Sequence, residues 1–165
     1  MNLDLSKVIN GLKSVADFQF DLTLTDEFLK EINAIEASKF SMTGDVKTIE
    51  KRLMLTFDYK GIISFECHRC LAEVKLNLSS CVTRALVEQF SEDEDDRFAV
   101  IESGAIDLIP ILEEDILLNL PPQILCDKGC NGICPKCGTD LNTGNCTCND
   151  EKIDPRLEAL KNLFT

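Results

Sequence analysis

Eight of the nine cysteines fall in two sets, a pair inside CHRC at Cys67 and Cys70, and a run at Cys126, Cys130, Cys134, Cys137, Cys146 and Cys148. Thiolates held this close along a chain can converge on one tetrahedral ion, which constrains the loops that carry them. The segment from 126 to 148 also holds Gly129, Asn131, Gly132, Gly138, Asn142, Gly144 and Asn145, residues suited to tight turns. It has little apolar material to fold on, so metal ligation is expected to supply its stability.

CPKCG at 134–138 has the form of a zinc-ribbon knuckle, in which two residues between thiolates let backbone N–H groups point back at sulfur. CTC at 146–148 closes a four-thiolate set with it, giving Cys134, Cys137, Cys146 and Cys148. Cys126 and Cys130 then pair with Cys67 and Cys70 in a second set that staples the tail segment to the body. Spacing alone leaves another partition open, for example Cys130 in place of Cys146. Two structural Zn²⁺ ions are the expected cofactors. Cys81 has no partner at useful spacing and is expected to be a buried small apolar residue. His68, the single histidine, is expected to be an exposed knuckle residue and not a ligand.

Apolar residues make up 44% and charged residues 28% of the 165 residues, which excludes a disordered tail. Asp4, Lys7, Lys13, Asp17 and Asp21 interrupt the start of the chain, so no secretory signal is read, and no stretch reaches the ~18 apolar residues of a membrane span. A cytoplasmic protein is expected, and in a reducing compartment clustered thiols are ligands more often than disulfides. The formal net charge is −12, and residues 88–115 carry nearly all of the excess, with 11 acidic and 1 basic side chain. Two filled four-thiolate sites would bring the charge to roughly −16. Such a body gains little from counterion release on a phosphate backbone, so tight nonspecific nucleic-acid binding is disfavoured and basic partners fit better.

The pattern reads as α+β: an antiparallel β-sheet with a few packing helices and a cysteine-rich, zinc-stabilised C-terminal segment. Leu5, Val8, Ile9 and Leu12 predict a first helix, Phe18, Phe20, Leu22 and Leu24 a strand, and Phe28, Ile32 and Ile35 a helix capped by Thr25 or Asp26. Between Phe40 and Phe90 the segments SMTGDVKTI, KRLMLTFDYKGIISFEC, AEVKLNLS and CVTRALVEQF read as strands. Tyr59, Lys60 and Gly61 predict a hairpin turn inside the second. CHRC is expected in the turn between the strand ending at Glu66 and the one starting near Ala72. SEDEDD at 91–96 reads as a solvated acidic loop or a protein-binding element. Leu108, Leu112, Ile116 and Leu120 predict a helix after Asp107 that Pro121 and Pro122 end. Asp154, Pro155, Leu157, Leu160 and Phe164 predict a final helix. Two units are expected: 1–121, an α+β core domain with the CHRC knuckle, and 122–165, the cysteine-rich segment and C-terminal helix packed on that core.

No catalytic constellation emerges. A redox CxxC belongs at a helix start, whereas CHRC falls among strands. Zinc deaminases need His-x-Glu before PCxxC, and all-thiolate sites leave no open position for water. No phosphate loop, GxSxG or nucleotide fingerprint is present, and Glu113 with Glu114 reads as surface charge.

CHRCL, the acidic stretch leading into DLIPILEEDILLNLPP, CDKGCNGICPKCGTDLNTGNCTC and DPRLEALKNL together resemble the YceD family, the large ribosomal RNA subunit accumulation proteins, over roughly residues 40 to 165. The resemblance implies a role in accumulation of large-subunit ribosomal RNA and carries no catalytic residues. It also implies that Cys67, Cys70, Cys126 and Cys130 form a site common to the family, with the last four cysteines an optional second one. The expected function is therefore non-enzymatic support of ribosome assembly. The expected partner is a ribosomal protein or a large-subunit assembly intermediate, with a local ribosomal RNA contact through Lys47, Lys51, Arg52, Lys60 and Arg69. No membrane and no small-molecule substrate are expected. The alternatives are a thiol-based redox protein using Cys67 and Cys70, or a general zinc-dependent interaction module.

Overall fold

The computed structural model describes residues 2–12, 14–50, 52–87 and 98–148. The acidic run at 91–96 and the helix expected after Asp154 lie outside them. Among the described residues eight strands and three helices follow in the order β1 (Asn2–Asp4), α1 (Ser6–Ile9), β2 (Val15–Leu22), α2 (Asp26–Glu31), β3 (Ala34–Ala37), β4 (Phe40–Ile49), β5 (Arg52–Glu66), β6 (Glu73–Val87), β7 (Phe98–Val100), β8 (Ala105–Asp107) and α3 (Leu108–Asn119). The main sheet has the order β2-β4-β5-β6-β7, with β3 extending the β4 side of β5. All its pairings are antiparallel except the short β6–β7 contact. The α+β class follows.

Alternation sets which face is covered. Leu55, Phe57, Tyr59, Ile63 and Phe65 of β5 are all buried, as are Phe40, Met42 and Val46 of β4 and Leu78, Val82 and Leu86 of β6. Leu108, Leu112 and Ile116 of α3 lie in the same cluster, so the helix covers this face. Each such side chain, fully buried, contributes roughly 1.5–3 kcal/mol. Asp107 caps α3, its Oδ1 accepting from Ile109 N at 3.1 Å.

Several expectations fail for identifiable reasons. The first helix shrinks to one turn, because Leu3 is drawn into β1 opposite Ile106 and Gly11 ends it with a φ of 70°. The second stops at Glu31: Asn33 adopts a φ of 54° and turns the chain into β3, leaving Ile35 53% exposed. No hairpin forms at Tyr59–Gly61. β5 passes straight through, and Gly61 is required there because a Cβ would lie 2.6 Å from the Phe40 ring. The segments expected as AEVKLNLS and CVTRALVEQF run together from Glu73 to Val87 as one strand, β6, paired with β5 without interruption from Leu53↔Leu86 to Glu66↔Glu73. Cys81 is exposed, since alternation places Val82 inward and Cys81 on the open face opposite Asp58.

Glu113, Glu114 and Asp115 are not idle surface charge. Thr25 N donates to Glu113 Oε1 at 2.8 Å, Arg84 pairs with Glu114 at 3.7 Å, and the Tyr59 hydroxyl donates to Asp115 at 2.8 Å. Three acids of the acidic block therefore fasten α3 to α2 and the sheet. Burial, with Asp115 adding to it, pushes the Tyr59 phenol well above its ordinary value.

Candidate metal centre

The long β5–β6 pairing ends at Glu66↔Glu73, and the chain between them is the CHRC knuckle. Cys67 N donates to Ala72 O at 2.8 Å and Leu71 N to Cys67 O at 3.0 Å, a turn tight enough to put Leu71 at a φ of 62°. A β-sheet of 15-residue strands thus holds Cys67 rigidly, and its side chain is fully buried. The segment after α3 runs alongside. His68 N donates to Ile124 O at 2.9 Å, and Cys126 N points at Cys67 Sγ at 3.4 Å.

The four sulfurs of Cys67, Cys70, Cys126 and Cys130 lie within 4.8 Å of one another, and so do those of Cys134, Cys137, Cys146 and Cys148. Within the first set Cys67 and Cys130 are 3.8 Å apart, and Cys70 and Cys126 3.4 Å. Within the second, Cys146 is 3.3 Å from Cys134 and 3.4 Å from Cys137. Sulfurs on a tetrahedron around zinc at ~2.3 Å sit about 3.8 Å apart, whereas a disulfide needs about 2.05 Å. The donor sets fit a thiophilic ion in tetrahedral coordination and do not fit disulfides. All four corners are protein thiols in each set.

Electrostatics point the same way. The backbone N–H of Cys70 draws the Cys67 thiol down to about 6, and the Thr139 hydroxyl draws Cys137 down to about 6. Cys126 is pushed up to about 12 by Cys70, and Cys148 to about 12 by Cys146. Each cluster gives up one proton readily and resists further negative charge. A divalent cation held by these thiols would remove that resistance.

Other expected site residues scatter. His68 is exposed, its Nδ1 accepts from Ile124 N at 3.4 Å, and it belongs to neither sulfur set. Arg69 reaches from the knuckle to the later cysteine segment, donating to Cys130 O at 2.8 Å, and Lys47 pairs with Asp45 at 3.5 Å. With Asp17, Asp45 and Asp58 interleaved on the open face near Lys60, the described residues among the basic side chains named from sequence, Lys47, Arg52, Lys60 and Arg69, do not form one patch. Lys51 lies outside the described residues. The contacts that hold the segment between the clusters, Arg69 to Cys130 and Ile133 and Asn142 to Asn131 and Cys130, are absent from the sequence reading. The hint for Asn142 is its setting in a run of turn residues.

The family model for the large ribosomal RNA subunit accumulation protein YceD matches residues 55–164. The chain belongs to the YceD family. It is 29% identical over 153 residues to the Bacillus subtilis (strain 168) protein YlbN, covering 89% of this chain and 88% of that protein. It is 26% identical over 158 residues to the Arabidopsis thaliana protein named large ribosomal RNA subunit accumulation protein YCED homolog 1, chloroplastic. That match covers 78% of this chain and 49% of the plant protein. The match to the Mycobacterium tuberculosis protein Rv2926c, 27% over 121 residues, covers 70% of this chain and 57% of that protein. No solved structure matches. No helix among the described residues is long and apolar enough to cross a membrane.

Proposed function

We propose that this YceD-family protein is a non-enzymatic, cytoplasmic factor that supports accumulation of large-subunit ribosomal RNA, stabilised by two structural Zn²⁺ ions. The observation that carries the metal half is the pair of four-sulfur sets, each complete with protein donors and so without a position for a reacting water. Family membership carries the ribosomal half. Residues 1–121 serve as the core domain, and 122–165 as a cysteine-rich unit clamped to it through Cys126 and Cys130. The partner is a ribosomal protein or a large-subunit assembly intermediate. An all-thiolate closed site favours scaffolding over chemistry, and burial of Cys67 counts against a redox pair with Cys70.

The test is the ratio of large- to small-subunit ribosomal RNA in cells depleted of the protein. Rescue by wild type but not by a Cys67→Ser, Cys70→Ser variant is the expected result; an unchanged ratio on depletion removes the proposal. Zinc content of the purified protein should be two ions per chain. For the partner, neutralising the acids of 91–96 to amides should weaken binding to a basic ribosomal protein, and unchanged binding removes that acidic segment from the interface.

A further inference from the structure

Only Asn131, Gly132 and Ile133 separate Cys130 of the first cluster from Cys134 of the second. This linker is held from both sides. From the CHRC knuckle, Arg69 donates through Nη1 to Cys130 O at 2.8 Å and accepts at its carbonyl from Ile133 N at 3.0 Å. From the loop between Cys137 and Cys146, Leu141 N donates to Gly132 O at 2.9 Å, and Asn142 Oδ1 accepts from Asn131 N at 2.8 Å. Asn142 Nδ2 reaches on to Cys130 Sγ at 3.5 Å, so a residue of the second cluster's loop touches a sulfur of the first. Gly132 has a φ of 75°, and a Cβ there would lie 2.9 Å from Arg69 O. The linker backbone is pressed against the knuckle.

We infer that Arg69 and Asn142 are positioning residues that couple the two centres, so that filling one cluster raises the metal affinity of the other. The inference rests on the reading of both clusters as metal centres. A filled first cluster fixes the knuckle and with it Arg69; a filled second cluster fixes the 139–146 loop and with it Asn142. Each event orders the same three linker residues, whose conformational entropy is lost once and not twice. The ion that binds second meets a chain already part-ordered. The shared N–H···S contact adds a direct term, because Asn142 can donate to a Cys130 thiolate only when its own loop is in place.

The experiment is zinc competition against a chromogenic chelator, on the full chain. Removing the second cluster by Cys137→Ser with Cys148→Ser should weaken the first about tenfold or more, within the 5–150-fold range of inter-site coupling. Placed on an Asn142→Ala background, which keeps all eight thiols, the same pair of substitutions should cause little further loss; Arg69→Ala gives a second cut of the same tether. The reverse experiment, Cys67→Ser with Cys70→Ser, must weaken the second cluster by the same factor, since coupling is reciprocal. A first-cluster affinity that ignores loss of the second overturns the coupling. An undiminished loss in both the Asn142→Ala and Arg69→Ala backgrounds overturns the assignment of these residues. A wild-type protein that takes up no zinc overturns the metal reading itself, which is a different result from two ions bound independently.

Discussion

The β4–β6 sheet and the cysteine segment from 126 to 148 are stabilised by different physics. The sheet buries large apolar side chains in register across three long strands, with Phe40, Phe57 and Phe65 almost wholly removed from water. The buried residues of the other region are Cys130, Gly132 and Cys134, two small thiols and a glycine; its backbone is ordered by turns that close around sulfur. The first region has an apolar core to fold on, and the second has in its place two four-sulfur sets that could hold metal ions. The contrast locates where each kind of perturbation should be felt.

Metal removal should separate the two most sharply. Structural zinc contributes about 10–16 kcal/mol in small thiolate modules, so a strong chelator should abolish amide protection across 126–148. Protection in β4, β5 and β6 should persist; simultaneous loss of both would merge the two regions into one cooperative unit. The converse perturbation is Phe57→Ala, which empties the centre of the sheet and should cost about 3–5 kcal/mol by denaturant unfolding. Zinc stoichiometry of the folded fraction should not change. Gly61→Ala should cost about 1–3 kcal/mol by driving a methyl into the Phe40 ring, and a neutral outcome would show that the ring gives way to the methyl.

The smallest effect is the most specific. Tyr59 is the single tyrosine in a chain without tryptophan, so its ionisation can be followed by absorbance alone. Its folded-state value is raised above 10.0, which means the neutral phenol is favoured by folding. That contribution is complete below pH 10 and is lost as pH rises through the folded value. Asp115→Asn should bring the midpoint down towards 10 and cost about 1 kcal/mol at neutral pH. A midpoint unmoved by the substitution would leave burial as the sole cause.

Much of the sheet was legible because alternation is a local signal: Phe18 and Leu22, or Val82 and Leu86, announce their face within a few residues. The local pairs of sulfurs were legible for a similar reason, since CHRC, CPKCG and CTC each set a short local turn, but which pairs meet was left open by spacing. What escaped depends on partners distant in sequence. Gly61 reads as a turn until the Phe40 ring is seen to occupy the space above it. Cys81 reads as core until its neighbour Val82 claims the inward position. Glu113 and Glu114 read as surface charge because their partners, Thr25 and Arg84, stand 88 and 30 residues away. Asn142 carries no mark of its contact with Cys130 beyond its place among turn formers.

The first cluster joins chain positions 56 and 63 residues apart, Cys70 to Cys126 and Cys67 to Cys130. During synthesis its two halves therefore exist at different times. At translation rates of about 5–20 residues per second, Cys67 and Cys70 wait roughly 3–13 s for their counterparts. Over that interval they form a half-site at the tip of a growing hairpin, open to oxidants and to any thiophilic ion with two ligands to spare. The second cluster draws all four sulfurs from one short stretch and closes almost as soon as it is made. The first centre is thus begun early and left open for long, while the second is begun only after the first is complete and stays open briefly.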